Sequence, residues 1–407
     1  MHTINDLFLT ILRAALLGQS AEVDPAPEQW PELFRLADSH KVLPMIFEAV
    51  FPRLRQSDPE LAARITAQVR HQVIAQTLRT GEFLALNQQL REAGIDALVV
   101  KGIVCRSLYP LPDHRLSADE DVLIPPAQFE RCHQVMTGFG MQATASDPSA
   151  YEIPYRKAGS PLYIELHKHL FSPQSKAYGD LNRFFTDAFD HAVTLEVPGG
   201  TVRTLEPTEH LFYLICHVFK HFLHSGFGIR QVCDIVLFAN HYGHEIDWDV
   251  LLQNCWVIHA DRFAAAIFRI GSRHLVFDPD RAGYSPAWRA IEVDEMPMLE
   301  DLLQAGVYGS AQRSRLHSSS ITLNAVAAQK QPKSRSGLLS MVFPPVKNLT
   351  GRYPWLNKHP WLLPVAWCSR LAAYGRETKR LRSNSAADAL KLGSERVALL
   401  KQYGILK

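Results

Sequence analysis

Asp119 and Asp121 stand two residues apart in the stretch Arg115-Leu116-Ser117-Ala118-Asp119-Glu120-Asp121-Val122-Leu123-Ile124. The apolar run that follows predicts a β-strand, and side chains at i and i+2 of a strand project to one face. Two carboxylates aimed at one point are hard oxygen ligands, and Mg²⁺ typically takes one or two of them together with substrate phosphates. In isolation Asp-x-Asp is more often a solvated turn, so the surrounding residues decide between the two. Glu165 is the natural third carboxylate. In Leu162-Tyr163-Ile164-Glu165-Leu166-His167, alternation puts Leu162, Ile164 and Leu166 on one face and Tyr163, Glu165 and His167 on the other. A lone carboxylate among strand-forming apolar residues is costly unless it faces a site or a partner. The same alternation turns Glu120 away from the pair, and it is expected at the surface. Carboxylates so arranged suit phosphoryl or nucleotidyl transfer, where metal ions neutralise a polyphosphate and clamp the attacking and leaving oxygens.

Cations that would meet phosphate are also present. Lys101-Gly102 ends the strand-like run Asp96–Val100. Gly102 permits close backbone approach, a helix N-terminus after it favours an anion, and Lys101 either adds charge there or snorkels from a strand end. Arg115, a planar donor fork, either braces phosphate or locks the Asp loop. His217, Lys220, His221 and His224 lie on one predicted helix, with 217, 221 and 224 on one face. Imidazoles suit zinc or copper, but no cysteine or carboxylate nearby completes such a set. Arg230 and Asp234, at i and i+4, are expected to form a helix ion pair.

The elements that must position these groups read as α+β. Apolar spacing predicts helices over 3–18, 28–39, 43–51 and from Pro59 to about Ala93, an all-helical region 1–94. Residues 95–205 form a small α/β unit with a mixed sheet: strands at 96–100, at the Asp-x-Asp, at 150–156, 161–167, 191–197 and 201–205, the last two flanking the turn Pro198-Gly199-Gly200. Region 206–310 is helical, with helices from Pro207 to about 223, then 229–241 and 247–275. Region 311–407 is basic and aromatic, with an exposed loop at 330–338, prolines and tryptophans over 343–367 and a basic helix-like run over 363–382.

Composition narrows the class. With 47% hydrophobic and 21% charged residues the chain is an ordinary globular one, and no apolar run reaches the roughly 18 residues of a membrane span. The N-terminus reads as an amphipathic helix rather than a signal peptide. Six scattered cysteines without Cys-x-x-Cys spacing argue against zinc or a disulfide framework and for buried thiols in the cytoplasm. Residues 311–407 carry 17 Lys+Arg against 3 Asp+Glu, which leaves 26 against 38 in residues 1–310. The basic region either neutralises the acidic body or meets an anionic partner, including a membrane surface. No RNA- or DNA-binding motif appears.

Val99-Val100-Lys101-Gly102, the Arg115-x-x-x-Asp119-x-Asp121 strand and Glu165-Leu166-His167 together resemble the uncharacterised nucleotidyltransferase family of the DNA polymerase β-like superfamily. The resemblance extends over about residues 80–375, including His217, Lys220, Arg230, Asp234, Asp247-Trp248 and tail motifs at 342–345 and 352–354. It implies a small mixed-sheet nucleotidyltransferase core flanked by helical regions. It also implies Mg²⁺ (or Mn²⁺) held by Asp119, Asp121 and Glu165, and an NTP whose phosphates meet Lys101, Gly102 and Arg115, with His217, Lys220 and His221 nearby. NMP would pass to an acceptor hydroxyl, on a peptide, sugar or other small molecule rather than nucleic acid. One departure is that Lys101-Gly102-Ile103 replaces the superfamily's usual Gly-Ser or Gly-Gly. The alternatives are a non-catalytic nucleotide-binding scaffold and a related phosphate or glycosyl-phosphate transfer.

Overall fold

The computed structural model describes residues 3–144, 150–175, 177–306, 322–323, 325–326, 346, 349, 353–369 and 386–406. Helix α1 (Ile4–Leu16) buries Leu7, Phe8, Ile11, Leu12 and Leu16 at helical spacing, and a Thr3–Asp6 capping box starts it. Helix α2 covers Trp30–Ser39. Helix α3 (Leu43–Ser57) continues past the expected end at 51 and absorbs Pro52, forgoing one backbone hydrogen bond. Asp58 then caps α4: its Oδ1 accepts the Leu61 N–H at 2.9 Å, and Pro59 takes the first helical position. Helix α4 runs unbroken over Pro59–Glu92, and Gly94, at φ +67°, turns the chain toward the sheet.

The sheet has five strands in the order β1-β2-β5-β4-β3. Strand β1 (Leu98–Val99) is shorter than the expected 96–100 and pairs antiparallel with β2 (Glu120–Leu123). Between them lies the one-turn helix α5 (Ile103–Arg106). Strand β2 pairs parallel with β5 (Tyr163–His167), with Asp121 opposite Glu165. Helix α6 (Phe129–Gly138), β3 (Met141–Ala143) and β4 (Glu152–Lys157) make the crossover. Strand β3 had no clear sequence signal, being three residues long with one buried side chain. The hairpin β6 (Val193–Val197) and β7 (Gly200–Thr204) forms a sheet of its own rather than extending the mixed one.

Helices α7 (Pro207–His224) and α8 (Ile229–Tyr242) close over this unit. The single helix expected over 247–275 is two, α9 (Trp248–Val257) and α10 (Asp261–His274). His259 takes a left-handed φ of +58° and breaks them, a conformation its residue type did not announce. The short α11 (Pro286–Arg289) and α12 (Met296–Ala305) follow. One contiguous apolar core joins residues from α1 through α12 to the C-terminal helix Ala386–Gln402. In that helix the buried Arg396 donates to the carbonyls of Phe222 and His224. It thus supplies positive charge at the C-terminal end of α7, where a helix dipole favours it. In the tail, Leu349, Leu356 and Ala366 make a small separate cluster, while Trp361 is exposed. The loop at 330–338, Phe343 and the basic run beyond 369 lie outside the described residues. Among the described residues, no helix is long and apolar enough to cross a membrane.

Candidate active site

The antiparallel register brings the end of β1 beside the start of β2: the Val100 N–H donates to the Asp121 carbonyl at 3.1 Å. The β1 end is pinned from behind. Thr204 Oγ1 donates to the Val99 carbonyl at 2.6 Å, and a His210 ring nitrogen lies 2.8 Å from the Val100 carbonyl. Lys101, the next residue, is therefore delivered to the carboxylates. Its ammonium lies 2.7 Å from Asp121 Oδ2, 3.7 Å from Asp119 Oδ1 and 3.4 Å from His217 Nε2. Parallel pairing of β2 with β5 supplies the other side: His167 Nε2 is 3.3 Å from Asp121 Oδ1. One ligand atom from each of Asp121, Glu165 and His167 falls within 4.8 Å of the others. Asp119 stands just before β2 and pairs with Lys101 instead of joining this close group.

Two carboxylates and an imidazole converging on one point are a fitting donor set for a divalent cation that accepts oxygen and nitrogen. The unspent bonding capacity agrees. His167 Nδ1 is buried and has no hydrogen-bond partner. Burial would raise the Asp121 carboxyl, but Lys101 and His167 outweigh it and hold it below the usual carboxylate range. Glu165 goes the other way: burial, then the charges of Asp121, Asp119 and Glu152, push it up to about 7. Two carboxylates on adjacent strands are thus driven apart in acidity, as acid and base sites require. Glu152, which sequence reasoning missed, contributes because β4 places it opposite His167, on the Glu165 face.

A pH dependence follows from Glu165. A cation binds its deprotonated form, so affinity for Mn²⁺ should rise by up to about tenfold per unit below pH 7 and level off above it. Between the ordinary 4.5 and about 7 the folded state keeps a proton that the unfolded state loses. Its contribution to ligand-free stability therefore falls as pH rises through that window. Calorimetric Mn²⁺ titration and thermal melts across this range check both signs, with Glu165→Gln expected to flatten the difference from wild type.

Glu120 corrects the expectation of a surface residue. Its side chain does leave the Asp119–Asp121 face, but it enters a sealed polar pocket and is fully buried. Oε1 accepts Arg106 Nη2 at 2.7 Å, and Oε2 accepts the Ile103 N–H at 2.8 Å, the first amide of α5. The anion held at that helix start is therefore the protein's own. Gly102 allows the approach: its φ is +60°, and a Cβ there would lie 1.7 Å from Glu120 Oε2. Arg106 also donates to Ser117 Oγ at 2.9 Å, and Gln76 Oε1 accepts the Ser117 N–H at 2.8 Å. Arg79 Nε donates to the Pro161 carbonyl at 3.0 Å, and its Nη1 donates to the Ser117 carbonyl. Helix α4, in which no residue had suggested chemistry, thus holds the loop before β2.

The expected Arg230–Asp234 helix pair is replaced by a tertiary one. Arg115 grips Asp234 with two bonds, Nε to Oδ1 at 3.0 Å and Nη2 to Oδ2 at 2.6 Å, and Tyr109 donates to Oδ1 at 2.8 Å. Arg230 turns instead to the Leu116 carbonyl, 2.6 Å from its Nη1. Arg115 is fully buried, which favours the locking role over direct phosphate contact. Arg115→Met should cost about 3–5 kcal/mol by denaturant titration, because it leaves a buried carboxylate unpaired. Arg115→Met with Asp234→Leu should recover most of that loss.

Helix α7 lays His217 and His221 side by side, ring centroids 4.7 Å apart, next to Lys101. Burial and nearby cations hold both imidazoles well below their usual range, neutral at pH 7, and burial also lowers Lys220. Among the described residues the metal-competent group is Asp121, Glu165 and His167, and none of the α7 histidines belongs to it.

No curated protein and no solved structure shows significant similarity to the chain. A family model described as uncharacterised nucleotidyltransferase does match it, over residues 26–275. The match begins earlier than the expected 80, taking in α2, α3 and the α4 residues that hold the Ser117 loop. It ends at 275, before the tail motifs. With more than half of its length matched, and with the Asp-x-Asp strand, Lys101-Gly102 and the Glu-Leu-His strand inside the match, the chain belongs to the uncharacterised nucleotidyltransferase family.

Proposed function

We propose that the protein is a divalent-cation-dependent nucleotidyltransferase that moves NMP from an NTP to an acceptor hydroxyl and releases pyrophosphate. The observation that carries this reading is the convergence of Asp121, Glu165 and His167 on adjacent parallel strands in a chain of this family. These three residues would hold Mg²⁺ or Mn²⁺, which when bound supplies the charge that neutralises the polyphosphate. Lys101 adds fixed positive charge beside it, oriented by Asp119, and Lys220 of α7 is a further basic group for the phosphates. Arg115, through Asp234, and Glu120, through Arg106 and Ser117, hold the loop that presents Asp119. In the transfer the acceptor oxygen bonds to the α-phosphorus and the bond to the β-phosphate oxygen breaks. The acceptor proton passes to a nearby base. In this reading Glu165 would take that proton on a carboxylate oxygen, with His167 as the second choice.

The acceptor class we favour is a peptide, sugar or other small molecule. The basic region after residue 310 is suited to an anionic partner or a membrane surface. Cys105, Cys132, Cys216, Cys233 and Cys255 are buried free thiols, which suits a cytoplasmic location.

The test is incubation of the purified protein with each α-³²P-labelled NTP, Mg²⁺ and a cell extract. Label should enter one acceptor fraction and EDTA should abolish the transfer. Absence of label with all four NTPs and with both Mg²⁺ and Mn²⁺ would reject the proposal.

A further inference from the structure

The Lys101 ammonium stands between the two carboxylates of the Asp-x-Asp. A two-ion site needs a carboxylate whose two oxygens serve different ions. Among the described residues Asp121 is the carboxylate placed for this, since it touches both Lys101 and His167. Its oxygens are already divided. Oδ1 faces His167 at 3.3 Å, and Oδ2 faces the Lys101 ammonium at 2.7 Å. The same ammonium is 3.7 Å from Asp119, so it sits between the two carboxylates of the Asp-x-Asp. It cannot swing clear cheaply. The side chain is almost wholly buried, and its backbone is fixed by the Val100–Asp121 hydrogen bond and by Gly102's turn. Burial of a lysine is tolerable when it is paired and hydrogen-bonded, and here Asp119, Asp121 and His217 surround it.

We infer that the Lys101 ammonium is a built-in cation in the place of one of two divalent ions, so the protein itself binds a single divalent cation, on Asp121 Oδ1, Glu165 and His167. This rests on the metal-dependent reading above and sharpens it. A chain with a fixed charge between its aspartates needs no second ion to offset their mutual repulsion. It also explains why Asp119 stands apart from the three-residue group although it shares the Asp-x-Asp.

Mn²⁺ binding without nucleotide, followed by electron paramagnetic resonance of free Mn²⁺, tests it without reference to activity. Wild type should bind one ion at saturation. Lys101→Met should bind two, or bind its ion at least tenfold more tightly, while Lys101→Arg, which keeps the charge, should stay at one. Asp119→Asn should retain the ion with affinity changed less than tenfold, and Asp121→Asn should lose it. The Asp119→Asn and wild-type measurements decide the matter even if Lys101→Met fails to fold. Two ions on wild type, loss of the ion in Asp119→Asn, or a folded Lys101→Met indistinguishable from wild type would overturn the inference while leaving metal dependence standing. No ion bound by wild type would overturn the metal platform itself, and this inference with it.

Discussion

If the protein transfers NMP as proposed, Asp121→Asn should lower α-phosphate transfer by at least about 10³-fold in a protein that remains folded. Asparagine keeps the volume and one carbonyl oxygen, so the strand β2 ladder and the contacts to Val100 are untouched. What disappears is the charge. Asp121 is the residue that both Lys101 and His167 touch, at 2.7 and 3.3 Å, and it belongs to the group that converges on a cation position. Loss of a bound ion's charge stabilisation is worth several kcal/mol, and about 4 kcal/mol is a factor of about 10³ in rate. Asp119→Asn should be milder, since Asp119 reaches the site through Lys101 at 3.7 Å. Steady-state label transfer alongside circular dichroism separates chemistry from folding. An Asp121→Asn rate within a few fold of wild type would move the cation site elsewhere.

Gly102→Ala should be the most damaging single methyl in the α/β unit, with a loss of more than about 5 kcal/mol or failure to fold. Two terms add. A side chain at φ +60° with ψ −111° leaves the conformations that L-residues adopt. The new Cβ would also lie 1.7 Å from Glu120 Oε2, so the carboxylate must leave Ile103 N–H and Arg106, and breaking one partner from a buried ion pair costs about 3–5 kcal/mol. Glu120→Gln in the Gly102→Ala background should restore little, because the clash is steric. Glu120→Ala should restore part of it by making room, although Arg106 then lacks its anion. Urea titration reads these differences. A Gly102→Ala protein as stable as wild type would show that the Glu120 contact does not exist in solution.

Side-chain direction was legible along each strand, and what lay in that direction was not. Alternation in Tyr163–His167 correctly separated Leu162, Ile164 and Leu166 from Glu165 and His167, because period two is a property of the chain itself. That Asp121 lies opposite Glu165 depends on parallel pairing across a crossover of some forty residues, which no local pattern specifies. Alternation also sent Glu120 away from the aspartates, correctly. The error was to equate that other face with solvent, when Arg106 and Ser117 wait there. Arg230 and Asp234 show the same limit. A helix pair worth a few tenths of a kcal/mol yields to a two-pronged buried bond from Arg115, 119 residues away in sequence. Glu152 had a signal, the alternation of Glu152-Ile153-Pro154-Tyr155, but its relevance needed the β4–β5 register. Gln76 and Arg79 had none, since polar residues in a long helix are ordinarily solvated.

The most direct test of nucleotidyl transfer is a paired labelling experiment on the acceptor fraction, using NTP labelled in the α-phosphate and, separately, in the γ-phosphate. Transfer of NMP predicts that α-label enters the acceptor, that γ-label leaves as pyrophosphate in equal amount, and that the acceptor gains the mass of one nucleoside monophosphate less water. Entry of γ-label into the acceptor, with α-label left on a nucleoside diphosphate, would contradict the account and make the protein a phosphotransferase.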